Sequence, residues 1–155
     1  MSAPWGDLPA PLDVVYCNFP EQLIGPDQAV EPGPKPRVAL VLEIDESSEP
    51  PLIHVAYGTT KRTRSLMSGE FQISPSDSVF VQTGCTDETK FDLRRSVWLM
   101  YDDVWFKAKP GSNQSTPILG RIDISNIEIK KRLMAAHKAS IDSPPKKPQP
   151  GLKQP

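Results

Sequence analysis

Apolar positions along the chain follow strand spacing over most of its length and change to helical spacing only near the end. In Asp13-Val14-Val15-Tyr16-Cys17-Asn18-Phe19, one face carries Val15, Cys17 and Phe19 and the other Val14 and Tyr16, which predicts a first strand closed by Pro20. Val38-Ala39-Leu40-Val41-Leu42 is a continuous apolar run, with prolines before it and Glu43, Asp45, Glu46 and Glu49 after it. Such a run reads as an interior strand covered on both faces. Ile53-His54-Val55-Ala56-Tyr57 predicts its neighbour, and Gly58-Thr59-Thr60 lets the backbone turn and leaves hydroxyls at the strand end. Glu70-Phe71-Gln72-Ile73 is a short strand, Pro75-Ser76-Asp77 a turn, and Val79-Phe80-Val81 a strand or a loop. Thr89 to Met100 alternates and then becomes apolar, so it passes from surface to core with Phe91 and Leu93 inward and Lys90, Asp92 and Arg94 outward. Pro117 to Ile122 is the last strand. Ser125-Asn126-Ile127-Glu128 fits a capping box, and the helix it opens runs roughly to Ala139 with Ile129, Leu133 and Ala136 on one stripe.

Composition sharpens this outline. A chain of 155 residues suits one domain, and 18 prolines with 9 glycines favour short strands and many loops over a helix bundle. The expected class is mainly β (α+β). Residues 1–12 read as an N-terminal arm lying loosely on the surface, 13–140 as the domain, and 141–155 as a disordered Pro/Lys-rich tail. Residues 20–36 form a long loop with Gly25-Pro26 and Pro32-Gly33-Pro34, either a functional loop or a plain surface excursion. The formal charge of −1 offers no global basic field, so any nucleic-acid site is local. Cys17 and Cys85 have neither CxxC spacing nor a histidine cluster beside them, and both read as reduced, buried or half-buried thiols. No stretch has the apolar length of a membrane span and the first residues lack a basic-then-apolar export signal, which makes the cytoplasm the expected location.

Candidate chemistry gathers around residues 33–64. Pro34 and Pro36 stiffen the approach to Arg37, and an arginine held this way can make paired hydrogen bonds to a phosphate. Thr59 and Thr60 end the next strand, and Lys61-Arg62-Thr63-Arg64 follows directly. Taken alone that run is a solvated turn; beside Arg37 it becomes a candidate backbone-binding loop. There is no Walker loop, GxGxxG, HExxH or GxSxG, so nucleotide-driven chemistry and the common hydrolase schemes have no support. His54 reads as a satisfied core or edge histidine and His137 as a surface residue near a helix C-terminus.

Asp13-Val14-Val15-Tyr16 followed by a long loop, then Pro34-Lys35-Pro36-Arg37-Val38-Ala39-Leu40-Val41-Leu42, then Ile53-His54-Val55-Ala56-Tyr57-Gly58-Thr59-Thr60, resembles the MazF/PemK toxin family. Most of residues 13 to 139 can be laid along that pattern. The resemblance implies an SH3-like β-barrel with a terminal helix, usually a homodimer. It also implies a growth-inhibiting endoribonuclease that cleaves single-stranded RNA without metal or other cofactor and is restrained by an antitoxin peptide. It makes Arg37 and Thr59 the catalytic pair, with Thr60 in the latter role if the register slips by one. Thr60, Lys61, Arg62 and Lys90 would then hold the RNA backbone, and Tyr57, Phe91 or Trp105 would stack a base. The family commonly has proline just after the arginine, whereas here Pro36 precedes Arg37 and Val38 follows it. The alternative is a catalytically inactive SH3-like barrel that binds protein or nucleic acid.

Overall fold

The computed structural model describes residues 5–20, 31–111 and 115–142. Six strands and one long helix follow in the order β1 (Asp13–Cys17), β2 (Arg37–Asp45), β3 (Leu52–Thr59), β4 (Glu70–Ile73), β5 (Thr89–Met100), β6 (Ile118–Arg121) and α1 (Ile127–Asp142). All the strand pairs are antiparallel, in the sheet order β4-β5-β3-β2-β1-β6, and among the described residues no ladder joins β4 to β6. The fold is thus mainly β: a six-stranded antiparallel sheet with a C-terminal helix.

Both faces of the central strands are covered, which is why β2 reads as an unbroken apolar run. Val14, Leu40, Ala56, Phe71 and Phe91 face one core, which Ile129 and Ala136 of α1 close. Val15, Cys17, Ala39, Val41, Val55, Val97 and Leu99 face the other, filled by Phe19, Tyr101, Trp105 and Phe106. Burial of such side chains is worth about 25 cal/mol per Å² of apolar surface, so these layers are what orders the sheet. The segment 79–81 does not extend the sheet; Val81–Thr83 is a 3-10 turn that ends on Gly84 in the left-handed region (φ 74°).

Three expectations toward the chain ends are corrected. Residues 5–12 are not a loose arm: Trp5 packs against the second core, its indole donates to the Asp102 carbonyl at 3.1 Å, and the Tyr101 hydroxyl donates to the Asp7 carbonyl at 2.6 Å. The amide of Leu12 donates to the carbonyl of Val41, and that of Ile122 to the carbonyl of Leu12, both at 2.8 Å. At the helix start the cap is Asn126 rather than Ser125. The Asn126 Oδ1 accepts from the Ile129 amide at 3.1 Å, whereas the Ser125 hydroxyl donates to Asp123 and Glu128 lies 3.5 Å from Arg132. The helix continues to Asp142, beyond the expected end near Ala139. Arg132 fastens it to the sheet with two bonds to Asp77 (2.9 and 3.0 Å) and one to the carbonyl of Gln72 (3.0 Å). Of the disordered tail expected over 141–155, Ile141 and Asp142 belong instead to α1, and 143–155 lie outside the described residues, as does most of the long loop, 21–30.

Candidate functional site

At one end of the sheet, strand parity brings the singled-out residues to a common face. Ala39 pairs with Tyr57, and two residues further along their strands, on that same side, lie Arg37 and Thr59. Arg37 pairs with Cys17 on β1, and Thr59 with Lys90 on β5. The approach is tight, because a Cβ on Gly58 would sit 2.5 Å from the carbonyl oxygen of Val38 and 3.0 Å from the Phe91 ring. Gly58 is there because β2 and β3 leave no room for a side chain.

A bulge in β5 completes this face. Ala56 pairs with Ser96 but Tyr57 pairs with Asp92, so Leu93, Arg94 and Arg95 are inserted between the partners of two consecutive β3 residues. Leu93 instead donates to the Gly69 carbonyl and Arg94 to Asp92 Oδ1, both at 2.9 Å. The insertion of three residues, an odd number, reverses parity: Lys90 and Asp92 before the bulge share a face with Arg95, Val97 and Leu99 after it. The Arg95 guanidinium lies 4.1 Å from the centroid of the Tyr57 ring and 5.8 Å from that of Phe19. Arg37 approaches the same Tyr57 ring at 5.7 Å, and Phe19 meets Tyr57 edge to face at 5.3 Å.

Asp92 is half-buried directly across from Tyr57, and burial pushes its carboxyl above the usual carboxylate range, against the opposing influence of the Arg94 amide and the Arg94 and Arg95 charges. The site therefore holds two guanidiniums, an aromatic platform, a carboxyl raised above the usual carboxylate range and the Thr59 hydroxyl. Thr59 Oγ1 accepts from the Lys61 amide at 3.1 Å and opens the loop behind it.

That loop separates the candidate RNA-holding residues. Thr60, Lys61 and Arg62 are exposed, with Arg62 in the left-handed region (φ 53°). Beyond them the run is stapled down, since Thr63 donates to Glu88 and its carbonyl accepts from Gln72 at 2.7 Å. Lys90 is the correction. Instead of pointing outward it is buried, its ammonium 2.9 Å from Glu70 Oε1 and 3.1 Å from the Ser65 carbonyl, because β4 and the loop over 60–69 fold across it. Phe91 and Trp105 are buried too and stack no base; Tyr57 is the half-buried ring of the three.

At the opposite end of β3, His54 is satisfied on both ring nitrogens, Nδ1 3.2 Å from Glu43 and Nε2 2.9 Å from Ser96 Oγ, and it stacks on Trp98 at 4.8 Å. The connectivity is that of a nucleophile triad, but Ser96 is buried within the sheet, and the expectation of a satisfied histidine holds. Both cysteines are free and buried, and burial raises their thiols, that of Cys17 to about 12.

Sequence reasoning missed Phe19, Asp92 and Arg95. One signal was present for Arg95: adjacent arginines inside an alternating strand would put one on each face, and a bulge is the ordinary remedy. Compared with models of known protein families and with curated proteins, the chain matches none.

Proposed function

We propose that the chain is a MazF/PemK-like endoribonuclease on an SH3-like barrel, cleaving single-stranded RNA through the substrate's own 2′-hydroxyl and inhibiting growth. The observation that carries this reading is the placement of Arg37, Thr59, Tyr57 and Asp92 on one face at one end of the sheet. In this scheme Asp92, as the carboxylate, takes the 2′-hydroxyl proton as the oxygen attacks phosphorus. Arg37 neutralises the charge that builds on the phosphoryl oxygens, and Thr59 donates to one of them. The bond to the 5′-oxygen breaks, that oxygen takes a proton from water, Asp92 returns its proton to solvent, and the products are a 2′,3′-cyclic phosphate and a 5′-hydroxyl. Thr60, Lys61 and Arg62 flank the path of the RNA backbone. The same reading takes a homodimer as the working form and an antitoxin peptide as its restraint.

The alternative, a barrel that binds RNA or protein without cleaving it, draws on one observation: the Lys90–Glu70 pair removes a cation from the site. Purified protein incubated with a long single-stranded RNA in the presence of a chelator separates the two. Fragments ending in cyclic phosphate that vanish in Arg37→Ala are the expected result. Intact RNA with folded wild-type protein overturns the nuclease reading.

A further inference from the structure

The side of α1 turned away from the sheet carries a line of apolar residues that the fold itself does not use. Ile129 and Ala136 are buried in the first core, whereas Ile127, Met134 and Ile141 are 70%, 58% and 65% exposed. Seven residues nearly complete two helical turns, with a drift of about 20° per step, so these three form a single file along the helix, opposite its buried side. Isolated apolar side chains on a surface need no explanation, but a file at heptad spacing is the seam that one helix offers to another. Lys131 and Lys138 stand along one side of the file and Lys130 along the other, all of them exposed. Among the described residues none of these lysines has an acidic partner, and Glu128, the acid of the first turn, is engaged by Arg132. The seam is one residue wide, too narrow for a lipid surface, which takes a broad apolar face. A second copy would set cations against cations whichever way its helix ran. Residues 143–155 carry Lys146, Lys147 and Lys153 and no acid, so they match the seam no better. A helix with an apolar heptad line and carboxylates beside it matches both features.

We propose that the outer face of α1 is a docking surface for a helix of another protein, one whose apolar heptad seam is flanked by acidic residues. Ile127, Met134 and Ile141 supply the apolar contact, and Lys130, Lys131 and Lys138 select an acidic partner and repel a basic one. Because α1 covers the first core while Arg37 and Thr59 lie on the side of the second, the docked helix sits across the sheet from the RNA face, and neither reading depends on the other.

The probe is a fluorescein-labelled synthetic peptide of about three heptads, with leucine at a and d and glutamate at e and g, titrated with the full chain and followed by fluorescence anisotropy. Its glutamates keep it from pairing with itself. One control peptide has lysine in place of every glutamate; the other is a scramble that keeps the charge and loses the seam. The wild type should bind the acidic peptide about tenfold or more tightly than either control, and added salt should weaken that binding. Ile127→Gln/Met134→Gln/Ile141→Gln should lose about tenfold or more in affinity, because the apolar contact goes while the lysines stay. Lys130→Glu/Lys131→Glu/Lys138→Glu should take the lysine peptide and reject the acidic one, a reversal that damage to the fold does not produce. This charge-swapped variant keeps every apolar residue and carries the test if the glutamine variant does not fold. Equal binding of the scrambled peptide overturns the proposal in favour of plain charge attraction, and a wild type that binds none of the three overturns it outright. Self-association of the wild type in sedimentation, or its binding to vesicles of phosphatidylcholine and phosphatidylserine, overturns it as well if the glutamine variant abolishes either, since the seam then belongs to a second copy or to a membrane.

Discussion

Replacing Lys90 by methionine should destabilise the protein without touching substrate contacts. The ammonium and the Glu70 carboxylate are almost fully covered, with 9% and 10% of their side chains exposed, and lie 2.9 Å apart. The substitution removes a charge-assisted hydrogen bond worth about 2 kcal/mol and leaves the Ser65 carbonyl without its donor, for about 1 kcal/mol more. Glu70 keeps the Met67 amide at 2.7 Å, which tempers the cost of a buried carboxylate left without its counter-ion. The expected loss is therefore about 3 kcal/mol, equivalent to about 6–12 °C in Tm at this chain length. The double variant Glu70→Gln/Lys90→Met should recover only the share that comes from an unpaired buried carboxylate, because the Ser65 carbonyl still lacks its donor. Urea unfolding followed by tryptophan fluorescence reads both values, provided the m-value stays constant. A single variant that loses less than about 1 kcal/mol would refute the buried pair. If it kept its stability but lost RNA affinity, Lys90 would face the substrate after all.

Three further outcomes follow from the geometry. Gly58→Ala should cost about 2 kcal/mol or more, since its Cβ would meet the Val38 carbonyl at 2.5 Å and the obstacle is backbone; a wild-type melting temperature would count against the tight β2–β3 approach. Arg132 holds the Asp77 carboxyl below its ordinary value of 3.8, so the stability it contributes is complete above that value and is lost as pH falls through the lower folded value. Acid titration of Asp77→Asn should accordingly show a flatter decline in that range, and an unaltered acid limb would exclude the linkage. Asp92→Asn should lower kcat for RNA cleavage by about a hundredfold or more. In the wild type the rate should rise with pH through a carboxyl value above 3.8, and a rate that ignores both changes would take the base role from Asp92.

The strands were legible because each owes its burial to local pattern. Val38 to Leu42 and Ile53 to Tyr57 are apolar enough that any packed sheet must place them inside. The site was legible only where it lies on regular backbone, at Arg37 and Thr59. Asp92 and Arg95 escaped because a bulge between them reverses strand parity, and its position is set by pairing with β3 and by the Gly69 carbonyl, both distant in sequence. Lys90 was misread for a related reason. Alternation correctly separated it from Phe91 and Leu93, but it does not disclose that residues 60–69 fold over the opposite face. At the helix start, Ser125 and Asn126 are both good caps, and the hydrogen bond from Ser125 to Asp123 decides between them.

The strap formed by residues 5–12 bears on the order in which a newly made chain can close. Trp5 and Asp7 bond to residues 97 and 94 positions later, and Leu12 bridges the Val41 carbonyl to the Ile122 amide. This segment is thus among the last to find its place, because its partners around Tyr101 and Ile122 are synthesised long after it. Until then the second core stays open on the side that Trp5 covers, although β1, β2 and β3 are already available to pair. Long-range closure of this kind slows folding and extends the time for which apolar surface is exposed. Substitutions in the strap should therefore be felt in the yield of folded protein before they are felt at the site.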